Sequence, residues 1–141
     1  MKKLLPALLL LALAAPLFAD EQADFVLIAN PGRTEVALSR DEVSRIFLRK
    51  QPLWPEGSEI EPVDQAPDQA VRERFTRFVH QRRLESILFY WQQQIFSGRG
   101  YPPVMVQTDA AMVEYVGRVP GSIGYVSRGT RLNGVKALRI D

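Results

Sequence analysis

Short apolar runs that are typical of buried strands alternate along this chain with longer amphipathic stretches that are typical of helices. The run 25–29 ends at a turn, Asn30-Pro31-Gly32, and 122–126 has the same apolar character. Further strands are predicted at 59–63, 104–106 and 135–140. Pro62 places its strand at a sheet edge or at a strand end. Because strands alternate with helices, the sequence predicts an α/β fold with a mainly parallel sheet.

Four amphipathic segments predict the helices. Ser39-Arg40-Asp41-Glu42 has the capping-box pattern at the start of a helix over 39–49, and Thr108 can cap a short helix that ends near Gly117. Apolar residues at helical spacing predict one helix that follows Pro67 and another over 84–96. In the helix over 84–96, the residues expected to face inward are Leu84, Ile87, Leu88, Trp91 and Ile95, and those able to face outward are Phe89 and Tyr90.

The N-terminus has the pattern of a cleavable secretory signal. Lys2 and Lys3 precede an apolar stretch over 4–15, and Pro16-Leu17-Phe18-Ala19 follows it, which predicts cleavage after Ala19. The apolar run is shorter than the roughly 20 residues of a membrane span and contains Pro6. We therefore expect one domain over 20–141, free in the periplasm and without a membrane anchor after cleavage.

Composition excludes several classes of function. Lys2 and Lys3 account for the net charge of +2, so 20–141 is balanced and lacks the basic excess typical of nucleic-acid binding. The sequence has no cysteine, which excludes thiol chemistry and disulfides. His80, the only histidine, is predicted to be a solvated cation at a helix end. The sequence offers no metal-ligand cluster or cofactor motif, and we expect no catalytic residues and no enzyme activity.

Loops that follow the strands offer a possible anion site. If 25–29, 60–63 and 122–126 run parallel, their following loops emerge at one sheet edge, where α/β proteins bind ligands. The ligand residues expected there are Asn30, Arg33, Gln65, Arg72, Ser127 and Arg128. The alternative is that these arginines are ordinary surface residues paired with acids such as Glu35 and Glu73.

Several segments together resemble one known family. They are 38–50 with Trp54, Arg72-Glu73-Arg74-Phe75, Tyr90-Trp91 with Phe96-Ser97-Gly98, and Pro120-Gly121-Ser122-Ile123-Gly124-Tyr125-Val126. In this order they look like the substrate-binding protein of phosphate ABC transporters. The resemblance implies a type 2 periplasmic-binding fold, three layers deep, and phosphate or another small anion as ligand.

The chain departs from that family in two ways. Its length suits about one lobe, whereas the family clamps phosphate between two. The loop that carries Gly-Ser-Gly-Thr in the family reads Asp64-Gln65-Ala66-Pro67-Asp68-Gln69 here, and its acids repel phosphate. Two readings follow: a solute-binding protein that serves an ABC permease, or a single-lobe module that has lost its ligand and binds another envelope protein.

Overall fold

The computed structural model describes residues 24–141. The predicted signal peptide, 1–19, lies outside the described residues. The strands are β1 Val26–Ala29, β2 Ala37–Leu38, β3 Glu61–Gln65, β4 Val104–Val106, β5 Ser122–Val126 and β6 Lys136–Ile140. The helices are α1 Arg40–Phe47, α2 Ala70–His80, α3 Leu84–Phe96 and α4 Asp109–Arg118. Within 24–141 no helix is both long and apolar enough to cross a membrane.

All six strands form one sheet in the order β2-β6-β1-β5-β3-β4. β3 runs parallel to both β4 and β5, and β2 runs parallel to β6. β1 is antiparallel to both of its neighbours, β5 and β6. Five strands therefore share one direction and β1 alone among the described strands opposes them, which confirms the mainly parallel α/β fold.

The reversal of β1 contradicts one part of the sequence interpretation. The strands predicted at 25–29 and 122–126 are neighbours, but Val26 pairs with Val126 and Ala29 with Ile123, an antiparallel register. The loop after β1 therefore emerges at the opposite edge from the loops after β3 and β5. Both faces of β1 would be covered whichever way the strand ran, so its apolar run would be the same. The hydrophobic pattern therefore identifies a buried strand but does not show its direction.

Helices cover both faces of the sheet and divide the core in two. Alternate residues of β1 point to opposite faces: Leu27 and Ala29 pack with α1 and α2, whereas Ile28 packs with Met112 and Val116 of α4. In the larger core the rings of Phe75 (α2) and Tyr125 (β5) stack with centroids 3.8 Å apart. The result is a three-layer lobe in which α3 packs outside α2 rather than on the sheet.

Most of the predicted elements are present. The capping box at Ser39 forms with both reciprocal hydrogen bonds, and the hydroxyl of Thr108 caps α4. β3 is an interior strand, and Pro62 lies near its start, before the pairing with β4 begins, which is the strand-end position that the sequence allowed. The prediction that Leu88 and Ile95 face inward is also wrong, because they are 37% and 56% exposed.

Gly121 makes the turn that starts β5. Its φ is +77°, and its carbonyl accepts hydrogen bonds from Trp54 Nε1 and the Glu61 amide, each at 3.0 Å. A Cβ at this position would lie 2.5 Å from the carbonyl oxygen of Glu59. Only glycine fits, because the turn needs both a left-handed backbone and close approach to the backbone that precedes β3.

Gly121→Ala should lower the free energy of unfolding by about 2–4 kcal/mol, since left-handed strain adds to a backbone clash. Gly129→Ala is the matched control, because Gly129 has φ +84° but open space around it. That control should lose only about 1 kcal/mol. Urea unfolding measures both, and equal losses would contradict the role assigned to the close approach at Gly121.

Candidate functional site: the carboxyl edge of the sheet

The five parallel strands end at one edge, which we call the carboxyl edge. The segments that leave it include the N-terminal turns of α1 and α4 and the loop that starts at Ser127. Of the predicted ligand residues, Gln65, Arg72, Ser127 and Arg128 lie at this edge. Such an edge is where open α/β sheets place ligands, because helix N-termini present backbone N–H groups there.

Arg72 is part of a buried charged cluster. Its Nε lies 3.2 Å from Asp64 Oδ1, and its Nη1 donates to the carbonyl of Gln65 at 2.8 Å. The hydroxyl of Tyr125 donates to Asp64 and accepts a hydrogen bond from the backbone N–H of Gln65. The Arg72 and Asp64 side chains are 3% and 7% exposed. Arg72 therefore compensates an internal carboxylate rather than facing a ligand.

Burial controls the protonation of this cluster. Loss of hydration, and then the nearby Asp64 carboxylate, raise the pKa of Tyr125 well above 10, so the phenol remains a hydrogen-bond donor. Burial also raises the pKa of Asp64, while Arg72 and Tyr125 oppose that rise. The cluster has its own donors and acceptors, and its charges are matched without a ligand.

Asp109, in the first turn of α4, is the residue at this edge that sequence reasoning missed. Its Oδ1 accepts from Gln65 Nε2 at 2.7 Å and from the Ser127 amide at 3.0 Å. Burial opposes ionisation, but the hydrogen bonds from Gln65, Ser127 and Thr130 outweigh it and lower the pKa of Asp109. In the sequence Asp109 follows the N-cap Thr108, so it resembles an ordinary first-turn acid.

Gln65 connects Asp109 to the core. The side chain is fully buried, and Nε2 also donates to the carbonyl of Tyr125 at 3.0 Å. Its Oε1 is buried without a hydrogen-bond donor among the described residues. Gln65 was predicted as a ligand residue, and the structure places its amide toward an internal carboxylate.

Asn30 and Arg33 lie at the opposite edge, so the prediction that they converge with Arg72 and Arg128 is wrong. Asn30 Nδ2 donates to the carbonyl of Val116 at 3.0 Å, at the C-terminal end of α4. Arg33 forms ion pairs with Glu35 and Glu56 and lies over the Trp54 ring. The ion pair between Arg33 and Glu35 is the one expected if the arginines pair with neighbouring acids instead of binding an anion. The physical cause is the reversed β1, whose loop cannot reach the carboxyl edge.

The loop after β5 carries the remaining predicted residues. Ser127 uses its amide for Asp109, and its carbonyl accepts from the Thr130 hydroxyl at 2.7 Å. Arg128 is exposed and lines a cavity of about 260 Å³ with Phe25, Leu138 and Arg139. Ser127 and Arg128 thus lie at the edge that the sequence predicted for them.

His80 borders a cavity of about 510 Å³ formed with the first turn of α1 and the end of β6. Its Nδ1 lies 2.8 Å from Ser44 Oγ. Burial, and then the charges of Arg72, Arg82 and Lys50, lower its pKa to about 4. His80 is therefore neutral at pH 7, and the prediction of a solvated cation is wrong because α1 covers the ring. Residues 24–141 hold no cluster of three or more metal-ligating side chains.

Solved structures share this fold at low sequence identity. The chain superposes on a putative phosphate ABC transporter substrate-binding protein with bound phosphate from Clostridium perfringens (TM-score 0.67, 17% identity, 83% of this chain and 44% of that one). An ABC-type phosphate transport receptor from Vibrio cholerae gives TM-score 0.60 at 15% identity, over 82% of this chain and 45% of that one. A possible phosphate binding protein from Planctomyces limnophilus gives 0.61 at 15%, over 83% and 41%.

These similarities establish the fold. This chain spans less than half the length of each of those proteins. No protein-family model matches it, and no curated protein matches it in sequence. The expected fold, a single lobe of the periplasmic-binding-protein type, is confirmed at the level of architecture.

Arg72→Ala should destabilise the protein by about 3–5 kcal/mol, because it leaves Asp64 buried without its cation. Arg74→Ala is the control on the same helix, since Arg74 pairs with a carboxylate at the surface. Its effect should stay within about 0.5 kcal/mol. Thermal or urea unfolding compares them, and a small effect at Arg72 would contradict the structural role of the cluster.

His80 should make the protein less stable as pH falls. Between the unfolded pKa of about 6.5 and the folded value of about 4, the unfolded state binds a proton that the folded state excludes. From pH 7 to pH 5 the wild type should lose about 2 kcal/mol more than His80→Gln, which keeps a partner for Ser44. Urea unfolding at both pH values tests this, and identical pH dependence in the two proteins would refute it.

Proposed function

We propose that this chain is a non-catalytic binding lobe of a phosphate-type uptake system that takes a small oxyanion, such as phosphate, at the carboxyl edge. The observation that carries the proposal is the donor set around Asp109. An amide, a backbone N–H and two hydroxyls surround one carboxylate. Neutral donors that converge in this way are suited to an oxyanion.

Asp109 marks the position of the anion and also competes with it. Asp109, Ser127 and Thr130 are partly exposed, so an ion from solvent can approach them, whereas the Gln65 side chain is buried behind them. The charge of Asp109 repels a phosphate dianion that approaches Ser127 and Thr130. We therefore expect weak binding in the wild-type protein and stronger binding when that charge is removed.

The wider role follows from the fold and the N-terminal sequence. Two of the similar structures are described as ABC-type phosphate transport components. The lysines and apolar run before Ala19 favour export to the periplasm. An exported lobe of this kind would present its anion to an ABC permease, and nothing in this role requires catalysis.

Isothermal titration with phosphate at low salt tests the anion site. We expect affinity in the millimolar range for the wild type and at least about tenfold tighter binding for Asp109→Asn, which removes the charge but keeps the side-chain shape. Glu114→Gln is the control, because it removes an equal charge from an exposed position on the same helix. No saturable heat at about 10 mM phosphate in any variant would overturn the proposal.

The second interpretation of the sequence, a module that has lost its ligand and binds another envelope protein, stays a prediction. Polar atoms of Asn30, Arg33 and Arg72 are engaged within the chain. A lobe whose polar groups are satisfied internally would serve as a module that binds another envelope protein. Absence of phosphate binding, together with a well-folded Asp109→Asn variant, would favour this candidate.

A further inference from the structure

The cavity beside His80 is not used by the anion site at Asp109. Its volume is about 510 Å³, which is within the range of sites for small organic molecules. It lies between the first turn of α1, the end of α2 and the end of β6. In the sheet, β1 and β5 separate β6 from β3 and β4, so this cavity and the site at Asp109 are in different parts of the lobe.

Apolar and polar residues line the cavity together. Phe78, Val79 and Ile140 supply hydrocarbon, whereas Arg40 and His80 supply nitrogen donors. Hydrocarbon walls with a few polar groups are typical of sites that hold a small organic ligand, because the apolar part gives affinity and the polar groups fix orientation.

Arg40 is the cation of this cavity. It is exposed, and the ion pairs within residues 24–141 do not include it. The side-chain oxygen of Gln81, in the amide orientation that satisfies both groups, accepts from Arg40 Nη1 and Nη2 at 2.8 and 3.1 Å. A carboxylate is a stronger partner than an amide for this fork of N–H groups. An anionic ligand can therefore replace Gln81 on Arg40.

His80 adds a neutral donor to the same cavity. Its Nδ1 lies 2.8 Å from Ser44 Oγ, and Nε2 has no hydrogen-bond partner within residues 24–141. When the Ser44 hydroxyl donates to Nδ1, the neutral ring carries its proton on Nε2 and can donate to an anion.

The charges around His80 favour an anion. Burial is the largest cause of the low pKa of this ring, and the positive charges of Arg72, Arg82 and Lys50 come next. Asp64 compensates Arg72, but Arg82 and Lys50 form no ion pair within the described part of the chain. Cations that disfavour the imidazolium stabilise a negative charge at the same place.

Two acids also border the cavity, and each lies beside an arginine. Asp41 pairs with Arg45, and Asp141 Oδ1 lies 3.7 Å from Arg139 Nε. The side chains of Asp41 and Asp141 are 78% and 64% exposed, so water and salt screen them. Their repulsion of a dianion is about twice that of a monoanion. The cavity therefore suits a ligand with one negative charge better than it suits a phosphate dianion.

We propose that this cavity binds a small organic monocarboxylate. The carboxylate pairs with the Arg40 guanidinium and accepts from the His80 ring, and its hydrocarbon part packs on Phe78, Val79 and Ile140. One guanidinium matches one carboxylate in charge and in the spacing of its two donors. The proposal does not rest on the phosphate site, so failure of phosphate binding would leave it unaffected.

NMR of the His80 ring tests this binding, because His80 is the only histidine and its Cε1–H signal is unique. Benzoate is the probe, and benzamide is its uncharged counterpart of the same shape. At pH 7 benzoate should shift the signal saturably with a dissociation constant of about 1 mM or below, and benzamide should bind at least about tenfold more weakly. Absence of saturation up to about 20 mM benzoate, or equal affinity for benzamide, would overturn the proposal.

Three variants test the role of Arg40. Arg40→Gln should raise the dissociation constant of benzoate at least about tenfold, because it removes the charge and the fork. Arg77→Gln is the control, since it removes an equal charge from a position on α2 that is 69% exposed. Gln81→Ala should not weaken binding, because the amide competes for Arg40. Equal affinities in Arg40→Gln and the wild type, or weaker binding in Gln81→Ala, would refute the assignment.

Discussion

Tyr125 is the residue through which the layers of this lobe depend on one another. Its ring stacks on Phe75 of α2, and its hydroxyl bonds to Asp64 beside Arg72. The stack is apolar and the cluster is charged, yet one side chain belongs to both. A buried ion pair is costly unless its remaining hydrogen-bonding groups are satisfied. The Tyr125 hydroxyl provides a hydrogen bond to the Asp64 carboxylate, and the Tyr125 ring packs α2 against the sheet.

The same cluster keeps Arg72 away from the surface of the carboxyl edge. A guanidinium near the end of a strand is a natural anion ligand, but here Arg72 is committed to Asp64. The donors to Asp109 belong to neutral groups, and one of them, the side-chain amide of Gln65, is buried.

Helix α3 carries apolar side chains on both its buried and its exposed side. α3 packs on α2, and its buried residues are Ile87 and Trp91. Leu88, Phe89, Ile95 and Phe96 are exposed. Leu88 and Ile95 were expected inside because helical spacing reports that residues share a face, without reporting which face meets the protein.

The sequence by itself determined the elements. The capping residues Ser39 and Thr108, the run at 122–126 and the pattern over 84–96 predict local structures that form as expected, because caps and apolar periodicity act over a few residues. The resemblance to phosphate-binding proteins also predicted the architecture that the solved structures share. These features depend on neighbours along the chain.

Tertiary structure decided the direction of β1, the burial of Arg72 and His80, and the position of Asp109. Each depends on contacts between residues that are distant in sequence, as in the hydrogen bond from Gln65 to Asp109. The reversed β1 moved Asn30 and Arg33 to the opposite edge, since strand direction is set by which neighbours complete the sheet. Composition and residue spacing do not show which strands pair or which distant side chains meet. The fold could therefore be predicted from the sequence, whereas the arrangement of the site could not.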